Sequence, residues 1–359
     1  MKEFVNYMAD PIRSFPIFTL MFWWMFKYVR VFGSKAFAKW TTIASIPVIV
    51  WFCADPNFIK IILWPDNIPI IILLFAIAFF TWFSLHKAVE NDKRIEAGEV
   101  PIEATPENRE KVWCWPNLVY TELFAIIAGT VFLVVWAIVF KAPLEEPANP
   151  TWAPNPAKAP WYFLGLQEML VYFDPWMAGV VLPGLIVVGL IAIPYIDTNP
   201  KGNGYYSFKE RKLAMFLFLY GWLVLWFYLI LVGTFLRGPN WTFYGPFEYW
   251  DFHKVVAEYN VNLSEFLWIK GLNMAMPSNM IVRELLGIIL SLAYIVLIPL
   301  YIGMKTKWGK DLIGKVGNIR FYIMIFLAVT MASLPIKMVL RWLFGLKYIV
   351  ALPELELNL

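Results

Sequence analysis

Stretches of about twenty consecutive, mostly apolar residues recur along this chain, the length that an α-helix needs to cross the hydrocarbon of a bilayer. Five meet that requirement, at 67–86, 117–140, 178–196, 212–236 and 283–303. A sixth, 320–345, carries Lys337 and Arg341 near its end, where long cationic side chains snorkel towards the interface. A seventh, 38–54, is shorter and contains Pro47. Residues 15–33 are aromatic with Lys27 and Arg30 inside the run, which predicts a helix lying in the interface. Lipid offers backbone polar groups no partner, so a helical span must satisfy them internally. The expected fold class is therefore all-α: a polytopic transmembrane helical protein of about seven spans plus an interfacial N-terminal helix.

Only 16% of residues are charged, against about 25% in soluble chains. The net charge of +4 is spread through short loops, which argues for membrane lipid and against a nucleic-acid partner. The two cysteines, Cys53 and Cys114, form no CxxC or CxxCH motif. A zinc site, a redox dithiol and a covalently attached c-type haem all lack their signature, and both thiols read as packing residues. The first residues contain charges but no short apolar core with a cleavage site, so no cleaved signal peptide is expected.

Basic residues set the orientation. The loop 87–111 carries Lys87, Lys93, Arg94 and Arg109, the loop 197–212 carries Lys201, Lys209 and Arg211, and the loop 304–320 carries Lys305, Lys307 and Lys310. With seven spans these loops share one side with the N-terminal region, and a Lys/Arg excess marks the cytoplasmic side. The expectation is an integral membrane protein of a bacterial-type inner membrane, N-terminus inside. Loops 141–177 and 237–282 then face out. The chain divides into an N-terminal membrane segment with charged connector (1–111), a three-span block (112–252) and a two-span extension (253–359).

Within 141–179 the run is dense in proline, at 143, 147, 150, 154, 156, 160 and 175. Proline fixes φ and restricts the residue before it, so 142–160 is expected to be a stiff, extended loop. Pro160 suits the first turn of a helix, and 160–172 gives about three turns, too short to span. On a regular helix Trp161 and Glu168 share a face. A carboxylate in such an apolar setting is costly unless paired or protonated; Glu168 is either solvated at the water boundary or a proton-handling group.

The segment resembles the C-terminal domain of cytochrome b, called subunit IV where it is a separate chain. The resemblance rests on Pro147-Ala148-Asn149-Pro150 after a span, Trp161-Tyr162-Phe163-Leu164, Ala178-Gly179 opening the next span, and Phe235-Leu236-Arg237-Gly238-Pro239 closing a third. It covers about 140 residues. It implies a subunit of a Rieske/cytochrome b complex, a quinol:cytochrome c-type oxidoreductase that is not active as a single chain. Pro160, Trp161, Tyr162, Phe163 and Gln167 would then line the quinol-oxidation site on the outer, positive side. The family's Pro-Glu-Trp-Tyr motif is altered, with Ala159 and Pro160 standing where it has Pro and Glu. Glu168 is the expected substitute proton acceptor.

The family's two b haems need four histidines on facing helices, whereas this chain holds two histidines in all, His86 and His253. Haem b is therefore expected on a partner chain, the haem-binding N-terminal half of cytochrome b. A Rieske iron–sulfur protein and a c-type cytochrome would complete the set, with quinol or quinone as the small-molecule ligand. The aromatic loop 238–282 reads as an interfacial belt or a docking surface for an extrinsic partner. Two alternatives stand beside this reading: a haem-free quinol-binding anchor of another respiratory oxidoreductase, and a transporter.

Overall fold

The computed structural model describes residues 1–108, 111–140, 147–151, 153–199, 205–355 and 357–359. Arg109, Pro143 and Lys201 lie outside the described residues. The principal helices are α1 (Pro11–Lys27), α2 (Lys35–Cys53), α3 (Ile68–Glu96) and α4 (Cys114–Val139). After a short helix, α5 (161–169), come α6 (Met177–Ile196), α7 (Lys212–Leu236), α8 (Met280–Lys305) and α9 (Asn318–Phe344). Seven of these, α2–α4 and α6–α9, are long and apolar enough to cross a membrane, and each coincides with an expected span.

α7 is the hub, with 44% of its most apolar stretch buried by its neighbours, whereas α2 and α4 bury none of theirs. Lipid supplies no hydrophobic drive for helix association, so close packing must hold the hub. Two glycines permit it. A Cβ on Gly165 of α5 would lie 3.3 Å from Cγ1 of Ile230, and one on Gly233 of α7 would lie 3.2 Å from the carbonyl oxygen of Leu164. On the other flank of α7, Leu334 and Met338 of α9 join the same buried core.

Two expectations need correction. α1 does not lie flat at the interface but runs antiparallel along α7. Phe15 packs on Tyr228, Phe22 on Tyr220 and Phe216, and Phe26 on Phe216 and Phe208. Seventeen residues extend about 25 Å, enough to follow α7 through most of the hydrocarbon. The N-terminal residues therefore sit at the end opposite the basic loops: Lys2 pairs with Asp55 at 2.6 Å and Asn6 accepts from the Phe247 amide at 2.9 Å. Lys27 and Arg30 made the run look interfacial, yet both fall at or beyond its end. Nor does Lys337 snorkel. It is 1% exposed because the tail folds back over it, with its ammonium 6.0 Å from the centre of the Tyr348 ring.

α3 continues ten residues into the charged connector, where no glycine or proline intervenes before Gly98. The extension is anchored by buried polar groups. Asn91 donates to Glu103 and to the Tyr206 carbonyl at 2.6 and 2.9 Å, and Asp92 accepts from Ser207 at 2.9 Å. The loops after α3 and after α6 thus meet at one end of the bundle. At the other end, loop 237–279 meets 155–158 through Asn240 and Asn155, 55–58 through Phe247, and the tail through Val261 and Gly345. One stretch of that aromatic loop, 244–247, is interior: Tyr244 is wholly buried and donates to the Asp251 carbonyl at 2.6 Å, while Tyr249 and Phe252 stay exposed.

Candidate functional site

The described part of the proline-rich run, 147–151 and 153–160, makes no backbone ladder and is held by side chains instead. Asn155 and Asn240 pair reciprocally, Asn155 donating to the Asn240 side chain at 2.9 Å and accepting from its amide at 2.6 Å. Gln167 closes the near end: its Oε1 accepts from the Ala159 amide and its Nε2 donates to the Ala157 carbonyl, both at 2.8 Å. Pro160 then caps α5, whose first turn, Trp161–Phe163, is a tight 3₁₀ turn followed by the α-helical Leu164–Met169. That tight turn breaks the regular 3.6-residue repeat on which the shared face of Trp161 and Glu168 depended.

α5, the run before it and the head of α6 border an open recess of about 320 Å³ lined by Ala159, Phe163, Leu166, Gln167, Leu170 and Gly179. Its walls are apolar apart from the committed amide of Gln167. A second recess, of about 400 Å³, adjoins it across Gln167 and Leu170 and is polar, with Tyr172, Trp241, Glu258, Arg341 and Lys347 among its walls. Of the residues expected at the site, Phe163 and Gln167 line the apolar recess. Tyr162 is half exposed and lies tilted beside Phe163, ring centres 4.7 Å apart, and Trp161 meets Tyr162 edge-on at 5.6 Å. Pro160, Trp161 and Tyr162 shape the entrance to α5 rather than either wall.

Glu168 points into the protein. None of it is exposed, and both its oxygens accept from Arg237, Nη2 at 2.7 Å and Nε at 2.9 Å. Arg237 also donates to the Trp241 carbonyl at 2.9 Å, so the pair ties α5 to the end of α7 and the start of the outer loop. Burial pushes the Glu168 carboxyl above its ordinary value, and the charge and hydrogen bonds of Arg237 oppose that rise. The guanidinium is held in its charged form by the same contact, against its own burial. The sequence places Arg237 in a closing motif without revealing this role. The signal was there, since a carboxylate at this depth needs a cation at a span end.

Lys158 was missed altogether. Its Nζ donates to the Thr234 carbonyl at 2.7 Å and lies 5.1 Å from the centre of the Trp250 ring. Burial, opposed by Glu168 and reinforced by Arg237, brings its ammonium down to about 7.

The histidines do not assemble a haem site. His86 has Nδ1 2.7 Å from the Gly33 carbonyl and Nε2 3.5 Å from Glu90, and its ring stacks on Trp82 at 5.2 Å. His253 is exposed in the loop at the other end of the bundle. No group of three or more His, Cys, Asp or Glu side chains suited to a metal occurs among the described residues. The side chains present therefore do not fit a bis-histidine haem within this chain.

Residues 147–247 match the family model for cytochrome b (C-terminal)/b6/petD. The matched segment contains the proline-rich run, α5, α6 and α7, and with them Glu168, Arg237 and Lys158. No solved structure matches the chain.

Proposed function

We propose, on the premise of a cytochrome b C-terminal-type segment at 147–247, that this chain is the quinol-site subunit of a bc-type redox complex. The observation that carries the reading is the apolar recess between α5 and Gly179, built wholly from the matched segment. A quinol head group is a flat ring of modest polarity, suited to walls of Phe163, Leu166, Leu170 and the Ala159 methyl group. Binding pockets of this kind are mostly apolar, with a few polar groups that fix orientation. Tyr162, half exposed beside Phe163, is the hydroxyl-bearing residue proposed to bond a ring oxygen. Gln167 holds the Ala157–Ala159 wall in place, because its own amide is already committed.

Oxidation of the bound quinol removes two electrons and two protons. The electrons leave to redox centres on partner chains, a Rieske iron–sulfur protein backed by a c-type cytochrome and the haem b of an N-terminal cytochrome b chain. This chain positions the quinol and receives its protons, while the redox chemistry belongs to the cofactors. Glu168 is the acidic group proposed to hold a proton next to the recess, and doing so requires its release from Arg237. The protons depart on the side of loop 237–279, the outer side on the charge pattern of the loops.

Purification of the complex from membranes tests the reading. We expect b-type haem and an iron–sulfur centre to copurify, and quinol to reduce an added c-type cytochrome. A haem-free preparation that binds quinol would support the anchor reading instead.

A further inference from the structure

Six buried polar side-chain atoms have no hydrogen-bond partner among the described residues, and two of them, Oγ1 of Thr234 and Nε1 of Trp250, belong to residues that Lys158 touches. Leaving a buried donor or acceptor unpaired costs about 1–3 kcal/mol, and Thr234 is wholly buried. Lys158 meets both residues, through the Thr234 carbonyl and the Trp250 ring, so an unpaired hydroxyl and an unpaired indole N–H flank its side chain. A buried water needs two to four such partners. The charged groups acting on Lys158 are Glu168 of α5 and Arg237 at the end of α7, already joined to each other.

We propose that Lys158 is the proton-relay residue of the quinol site, linked to it by water held between Thr234 Oγ1 and Trp250 Nε1. The inference rests on the quinol reading above. Lys158 directly precedes Ala159, which forms a wall of the recess and is fixed by Gln167. As quinol is oxidised its O–H bond breaks and the electrons go to the partner iron–sulfur and haem centres. The proton moves onto the bridging water, which gives up one of its own to the lone pair of the neutral ε-amine. Lys158 as a residue keeps part of its surface exposed, and its ammonium releases the proton to the outer solution. An amine half neutral at about pH 7 suits this exchange. Arg237 and Glu168 hold each other charged on one side, so the relay does not need to break their pair.

Quinol oxidation by the purified complex, measured between about pH 5.5 and 9 for wild type, Lys158→Arg and Lys158→Met, tests the proposal. The wild-type rate should rise with pH through about 7, as the amine becomes free to accept. Lys158→Arg keeps the positive charge but not a proton that can leave. It should lose the pH-dependent limb and at least about tenfold in rate. A Lys158→Arg complex with the wild-type rate and profile overturns the relay while leaving the quinol reading intact. A wild-type complex with no quinol oxidation at any pH overturns that reading itself. Independently of activity, a high-resolution structure of the complex should show an ordered water within hydrogen-bond reach of Thr234 Oγ1 and Trp250 Nε1. A dry, closed contact there also refutes the relay.

Discussion

Glu168 and Arg237, 69 residues apart in the chain, face each other as a two-pronged ion pair at 2.7 and 2.9 Å, with the carboxylate wholly inside the protein. Removing one partner of such a pair leaves a buried charge without compensation and costs about 3–5 kcal/mol. Arg237→Met should therefore lower the thermal midpoint of the detergent-solubilised complex sharply. Adding Glu168→Leu to that variant should recover most of the loss. A double variant as unstable as Arg237→Met would show that the pair is not what holds α5 to α7.

Glu168→Gln separates structure from proton handling. The amide can still accept from Arg237 through one oxygen, which softens the loss, so the cost should stay below that of Arg237→Met and assembly should persist. If Glu168 takes up a quinol proton, turnover falls by at least about tenfold and the acid limb of the pH profile moves. Burial raises the carboxyl above its ordinary value, so uptake by Glu168 is favoured on the acid side and lost as pH climbs through that raised value. Wild-type turnover and profile in Glu168→Gln would remove the residue from the proton path.

Two glycines make opposite predictions. A Cβ on Gly179 meets nothing within 4 Å and the residue lines the apolar recess. Gly179→Leu should fold, assemble and fill the space meant for the ring, raising KM for quinol by about tenfold, roughly the 1.4 kcal/mol of a lost apolar contact. Gly233→Leu instead drives its side chain against the Leu164 backbone. It should displace α5 and reduce the yield of folded complex, measured by size-exclusion chromatography. Equal effects at the two positions would contradict the packing described.

The course of α1 predicts topology. Single cysteines at Glu3, Val256 and Lys310, in a chain with Cys53 and Cys114 changed to serine, can be probed with a membrane-impermeant maleimide on intact cells. Positions 3 and 256 should label from the same side, and position 310 from the other. Labelling of positions 3 and 310 together would put α1 back at the interface.

The spans were legible because their signal is local: a run of apolar residues carries its own reason to be a helix in lipid. α5 was legible in part, through Pro160 and its short length, but not its 3₁₀ first turn. What escaped was relational. α1 was misread because Lys27 looked internal to the run, when the neighbour that fixes the helix is Tyr228, more than 200 positions away. Glu168 was singled out correctly as a charge in need of an explanation, but its partner depends on where α7 ends relative to α5. Lys158 escaped the sequence because no local pattern reveals that the Thr234 carbonyl and the Trp250 ring meet it. The family resemblance located the segment, and the altered Ala159-Pro160 pair left the acid–base groups to be found by geometry.

Gln167 and Leu170 border both recesses, so the apolar one and the charged one share an edge made of two side chains. Leu170 is exposed, whereas the Gln167 amide is clasped by Ala157 and Ala159. Letting go takes two hydrogen bonds and a side-chain rotation, a change that needs no helix to move. The shape of two neighbouring sites thereby hangs on the rotamer of a single side chain.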